Sequence, residues 1–119
     1  AKAVCADSEK LAAIAGAGLE ARLRRIPVML DGFISSAAAA TLTAGDRLDA
    51  LDHCMISHLS PEPGHMRLAS ALRKQPFLDL RMRLGEASGA AVATLLVRAA
   101  LATHNGMATF DEAGVSKKA

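Results

Sequence analysis

The stretch IPVMLDGFISSAAAATLTAGDRLDALDHCMIS, residues 26–57, decides the fold. IPVML (26–30) is apolar without alternation and partly β-branched, the pattern of a strand buried on both faces of a parallel sheet. Asp31-Gly32 ends it, and Ser35 or Ser36 is the expected cap of a helix through SSAAAATLTA. After Gly45, DRLDALD reads as a helical turn leading into HCMIS (53–57), a second buried strand. Helix and strand alternate, so the expected class is α/β with parallel pairing.

Working outward, a helix is expected from Asp7 or Ser8 to about Arg25, before Pro27 stops it. Leu11, Ile14, Ala15, Gly18, Leu19 and Leu23 recur on one face, with Glu9, Lys10, Glu20, Arg22 and Arg24 opposite. Gly16 and Gly18 weaken that helix and suggest close approach of another backbone; they follow no strand, so GAG is not a phosphate loop. On the other side, HLSPEPGH (58–65) is a loop. MRLASALRKQ is a short helix with Met66, Leu68, Ala69 and Leu72 inward, and PFLDLRMRLGEA is mostly irregular. From Ser88, its expected N-cap, to about His104 runs a helix apolar nearly all round, which predicts burial on several sides.

At 119 residues the chain is expected to be one segment, 1–119, with 51% hydrophobic and 22% charged residues, a composition that packs. A net charge of +2 predicts neither a nucleic-acid nor a membrane partner, and no apolar tract is long enough for a span. The start lacks a signal core, and Cys5 and Cys54 form no CxxC, so free thiols in a reducing cytoplasm are expected. Alanine is abundant, Trp and Tyr are absent, and two strands make a poor sheet. These features predict a surface covered by something beyond these residues.

Three places can carry chemistry. SHLSPEPGH offers Ser57, His58, Ser60, Glu62 and His65, with His53 and Cys54 just upstream. Zinc takes such ligands, but the spacing matches no usual zinc pattern. A turn-forming loop and a polar rim at the C-terminal end of a parallel strand are the other readings. Asp31-Gly32-Phe33 occupies the same kind of place after the first strand; a sharp turn explains it equally well. No GxSxG nucleophile turn occurs. Glu86 precedes the apolar helix, where a favourable dipole interaction is worth ~0.3–1 kcal/mol. Beside an apolar cavity the same carboxylate becomes a usable general base.

Four blocks in register carry a more specific signal: LDGFISSAAA (30–39), SHLSPEPGH (57–65), LDLRMRLGEASGAAVA (78–93) and MATFDEAGVS (107–116). With them the chain, from about Leu11 to Ser116, resembles the C-terminal part of the nicotinate-nucleotide–dimethylbenzimidazole phosphoribosyltransferase family. The resemblance implies transfer of phosphoribose from nicotinate mononucleotide to 5,6-dimethylbenzimidazole in cobalamin lower-ligand synthesis; no cofactor or metal is expected. It places the family's catalytic base on Glu86. Leu84 would line the slot for the benzimidazole ring, Ser57, His58 and Ser60 would lie near the nucleotide, and Asp31 and Gly32 would border the pocket. Two departures stand out: Ala87 replaces the glycine usual after the acid, and Gly106 replaces a glutamate before MATF.

The expected architecture is therefore a partial Rossmann-like parallel sheet of two short strands with several helices, the C-terminal portion of a larger fold. Family enzymes are much longer, and their N-terminal part carries the glycine-rich phosphate-binding region and most of the sheet. The expected partners are the nucleotide, a benzimidazole base, and the missing N-terminal half or a second chain, with self-association as a homo-oligomer. A non-catalytic or partner-dependent half, inactive alone, is the alternative; a metal-binding regulator is a third.

Overall fold

The computed structural model describes residues 2–115, with side chains from Ser8 onward; the Cys5 thiol and Ser116 lie outside the described residues. The elements run α1 (Lys2–Leu23), β1 (Val28–Leu30), α2 (Phe33–Ala40), 3₁₀ turns at Thr41–Thr43 and Leu48–Leu51, β2 (Cys54–Ile56), α3 (His65–Ala71) and α4 (Ser88–Gly106). β1 and β2 pair in parallel, Val28 opposite Cys54 and Leu30 opposite Ile56. This is the expected mixed α/β arrangement.

The sheet extends further than expected. Phe77 N–H donates to the Ile56 carbonyl at 3.0 Å, Leu78 N–H to Ser57 at 3.1 Å, and Leu59 N–H to Leu78 at 2.7 Å. Residues around Leu78 thus run parallel beside the end of β2, with a bridge between His58 and Leu78. PFLDL looks irregular in sequence because only two residues of it pair.

Leu30, Ala39, Leu51, Cys54, Ile56, Ala69 and Leu72 form one core, with α2 and α3 packed on each other and α1 on α2. Cys54 is a free buried thiol, and burial raises its pKa. Gly18 is buried, its carbonyl accepting from His53 Nε2 at 2.9 Å, but the expected close approach of another backbone is not seen: a Cβ there would meet only the Leu42 side chain, at 3.6 Å. Gly16 has open space instead.

Several helix ends, and one helix face, differ from expectation. α1 begins well before Asp7 and Ser8, which lie inside it. Its C-terminus is a Schellman turn: Arg25 takes φ 58°, and Ile26 N–H reaches back to Ala21. α2 starts at Phe33 with Gly32 at the N-cap; Ser35 sits three residues in and its Oγ accepts from Gly32 N–H at 3.0 Å. On α3, His65 and not Met66 faces the core; His65 is buried and Met66 is half exposed.

α4 departs most. Only Gly89 and Ala93 are buried, while Leu95, Leu96 and Leu101 lie open. Within the described residues this helix packs chiefly on β1, and its C-terminal part projects. The radius of gyration is 17.8 Å, against about 13.5 Å for a compact chain of this length. An all-round apolar helix calls for cover on several sides, and these residues supply one.

Candidate active-site cleft

Three chain segments meet at the C-terminal ends of β1 and β2, where open α/β sheets bind ligands. Between them lies an open cleft of about 550 Å³ lined by Asp31, Gly32, Phe33, Ile34 and Ser35, by His58, Ser60 and Glu62, and by Met82, Arg83, Gly85, Glu86 and Ala87, with Ile14 of α1 at one side.

Asp31 holds the segments together. Its Oδ1 accepts from Ala90 N–H at 2.9 Å, so this carboxylate, and not Ser88, caps α4 from 59 residues away. Its carbonyl lies 2.6 Å from His58 Nδ1 and 2.8 Å from Ser57 Oγ. A carbonyl only accepts, so His58 carries its proton on Nδ1. His58 is 2% exposed, and its Nε2 faces the Met82 carbonyl at 3.4 Å. It abuts α4 so closely that a Cβ on Gly89 would fall 2.0 Å from Nδ1. Only glycine fits there. Ser88, the first residue of α4, has a buried hydroxyl with no partner among the described residues.

Glu86 stands at the mouth of this arrangement. Gly85, Glu86 and Ala87 have φ of 70°, 52° and 64°, three successive left-handed residues that turn the chain into α4. Such conformations cost non-glycine residues energy and cluster where a side chain must be aimed. Glu86 is exposed along the cleft, so within this chain alone it does not lie in a dry hollow. The far wall of the cleft is open.

Of the sequence candidates, Asp31, Gly32, His58, Ser60 and Glu86 come together on the cleft. Ser57 does not: it is fully buried, its Oγ 2.7 Å from the Leu30 carbonyl, and it fastens β2 to β1. Leu84 does not either; it is 75% exposed and outside the lining. Met82 and Arg83 line the wall instead. Phe33, set beside Asp31 and Gly32 by the sequence, also lines the cleft, and so does Ile14, whose helical periodicity reads as an ordinary packed face. Among the described residues no three His, Cys, Asp or Glu side chains group as a metal site. His53 is engaged with Gly18, while His65 bonds Ser36 and Ser60. In the last block Thr109 and Glu112 cap each other's backbone N–H groups, and the Thr109 N–H first, with its hydroxyl second, donates to the Glu112 carboxylate and holds it below its ordinary range.

Ala87 at φ 64° makes its departure from glycine testable. Ala87→Gly is expected to stabilise the chain by about 1 kcal/mol, because glycine reaches that region without a Cβ clash. A chemical-denaturation midpoint that stays put or falls would contradict it.

A family model described as phosphoribosyltransferase matches residues 5–115. The nicotinate-nucleotide–dimethylbenzimidazole phosphoribosyltransferase of Methylorubrum extorquens is 59% identical over 109 residues, 92% of this chain and 32% of that protein. The Brucella canis protein of the same name is 54% identical over 112 residues, 94% of this chain and 33% of its own. A crystal structure of the Thermus thermophilus protein superposes with a TM-score of 0.81 at 44% identity, over 91% of this chain and 32% of that one. The chain thus spans about a third of the length of the relatives it matches. It belongs to the nicotinate-nucleotide–dimethylbenzimidazole phosphoribosyltransferase family.

Proposed function

We propose that this chain supplies one wall of the active site of a phosphoribosyltransferase that moves phosphoribose from nicotinate mononucleotide to 5,6-dimethylbenzimidazole. The carrying observation is the placement of Glu86: a carboxylate held by three left-handed residues at the mouth of the cleft. A benzimidazole nitrogen attacks the anomeric carbon, the bond from that carbon to nicotinate breaks, and the ring N–H of the incoming base loses its proton. Glu86 accepts that proton as general base. Asp31, Gly32, His58 and Ser60 form the wall, chiefly by fixing backbone positions rather than by reacting.

The remainder of the family's fold, in the same polypeptide or in a second one, closes the cleft and covers α4. Two features favour this. The cleft is open, and Phe77, Leu96, Val97, Ala100, Leu101 and His104 outline an apolar groove on the outer side of α4. The expected result of mixing this chain with a polypeptide bearing the other two-thirds of a relative is turnover of nicotinate mononucleotide with dimethylbenzimidazole. Neither piece alone is expected to turn over. Activity of this chain by itself, or a mixture that associates and stays inert, would sink the proposal. Alone, the chain is expected to self-associate through α4; a monodisperse monomer in light scattering would count against that.

A further inference from the structure

His65 is a buried histidine that the proposed chemistry does not use. It sits at the start of α3, fully buried, in tilted contact with the Phe33 ring at 6.1 Å between centroids. Ser60 N–H donates to its Nδ1 at 2.9 Å. A backbone N–H can only donate, so Nδ1 is the unprotonated nitrogen and the ring proton is on Nε2. Nε2 then donates to Ser36 Oγ at 3.2 Å, and Ser36 is itself fully buried on α2. The ring is thus a polar bridge through the interior, from α2 to the loop after β2.

The bridge ends on the cleft. Ser60, Glu62 and Phe33 all line it. The turn is closed on itself by Glu62 N–H to Ser60 Oγ at 3.3 Å and by His65 N–H to the Glu62 carbonyl at 2.9 Å. We propose that His65 is a positioning residue: its unprotonated Nδ1 holds the Ser60–Glu62 rim against α2, and protonation there releases the rim. The proposal rests on the reading of the cleft as a substrate site only for its consequence; the bridge itself is independent of what binds.

The physical reason is one of donor count. A proton on Nδ1 would turn an acceptor into a donor facing the Ser60 N–H, leaving two donors opposed in a buried place. Burial first, and the nearby His58 second, lower the pKa of His65 below its ordinary 6.5. The other ionisable groups on elements packed against it do little to stabilise a charge: α2 carries none, Glu62 is exposed on the turn, and Arg67 of α3 is exposed and of the same sign. The unfolded chain takes up a proton as pH falls through 6.5 while the folded chain resists. Stability is therefore full above that pH and declines below it, until the lowered folded value is reached.

The test follows the ¹⁵N-labelled 119-residue chain by NMR through an acid titration. At neutral pH the His65 Nδ1 is expected to show the shift of an unprotonated ring nitrogen, and the Ser60 amide to move with one midpoint, below 6.5, shared with the ring. His65→Asn puts an amide oxygen where Nδ1 lies; it should keep the Ser60 bond and abolish the shared titration. His65→Leu removes the acceptor, and hydrogen exchange at Ser60 should quicken about tenfold relative to His65→Asn. A protonated Nδ1 at neutral pH, or a Ser60 amide indifferent to the ring's titration, overturns the proposal. Should His65→Leu not fold, the unsubstituted chain's titration decides alone. Nicotinate mononucleotide added to the reconstituted enzyme separates the two readings: an intact bridge without nucleotide binding there counts against the nucleotide reading and not against the bridge.

Discussion

Glu86→Gln, made in the reconstituted enzyme, is expected to lower turnover by roughly 10²–10⁴-fold, the range for loss of a positioned general base. Affinity for nicotinate mononucleotide should barely change. Glutamine has the shape of glutamate and the same tolerance of a φ near 52°, so the turn entering α4 stays as it is. What is lost is the capacity to take a proton from the incoming ring. The nucleotide carries no proton that must leave, which is why its binding is spared. Presteady-state measurement of nicotinate release with equilibrium binding on the same sample tells the two apart. A rate within about threefold of the unsubstituted enzyme would remove Glu86 from the chemistry, since even a weak general base contributes more than that.

Gly89→Ala is the expected worst substitution for the fold at the site. A Cβ would lie 2.0 Å from His58 Nδ1 and 2.7 Å from two ring carbons, and that same nitrogen is bonded to the Asp31 carbonyl. The imidazole has no room to retreat, being 2% exposed. Either α4 lifts away from β1 or His58 gives up its bond to Asp31. Overpacking of this kind costs about 1–3 kcal/mol, and a lost buried hydrogen bond adds about 1 kcal/mol. A fall in melting temperature on the order of 10 °C follows for a domain of this size. An unchanged melting temperature would mean that the close contact of helix and ring does not exist in solution.

How much of this was legible in the sequence depends on the range of the interactions. The strands at Val28–Leu30 and Cys54–Ile56 declare themselves because a parallel strand must be apolar on both faces over consecutive residues. The helix caps do not, since Ser35, Ser36 and Ser88 are good local candidates and the groups used at α2 and α4 are Gly32 and Asp31. A cap that comes from 59 residues away leaves no local trace. Met66 outranks His65 on any apolar scale, yet a histidine satisfied on both nitrogens packs inward and the methionine lies out. The order of motif blocks points to Glu86, Asp31 and Ser60, which meet on the cleft, whereas Leu84 of the same block as Glu86 lies exposed outside the lining that this chain supplies.

Asp31 offers its carbonyl to the histidine of one block and its carboxylate to the helix of another, while the glycine of that helix exists to make room for the histidine. Anyone building a chimera between this chain and a distant relative should therefore exchange the three blocks as a set. A graft of the acid-bearing turn alone would import a helix entrance whose latch belongs to a different parent.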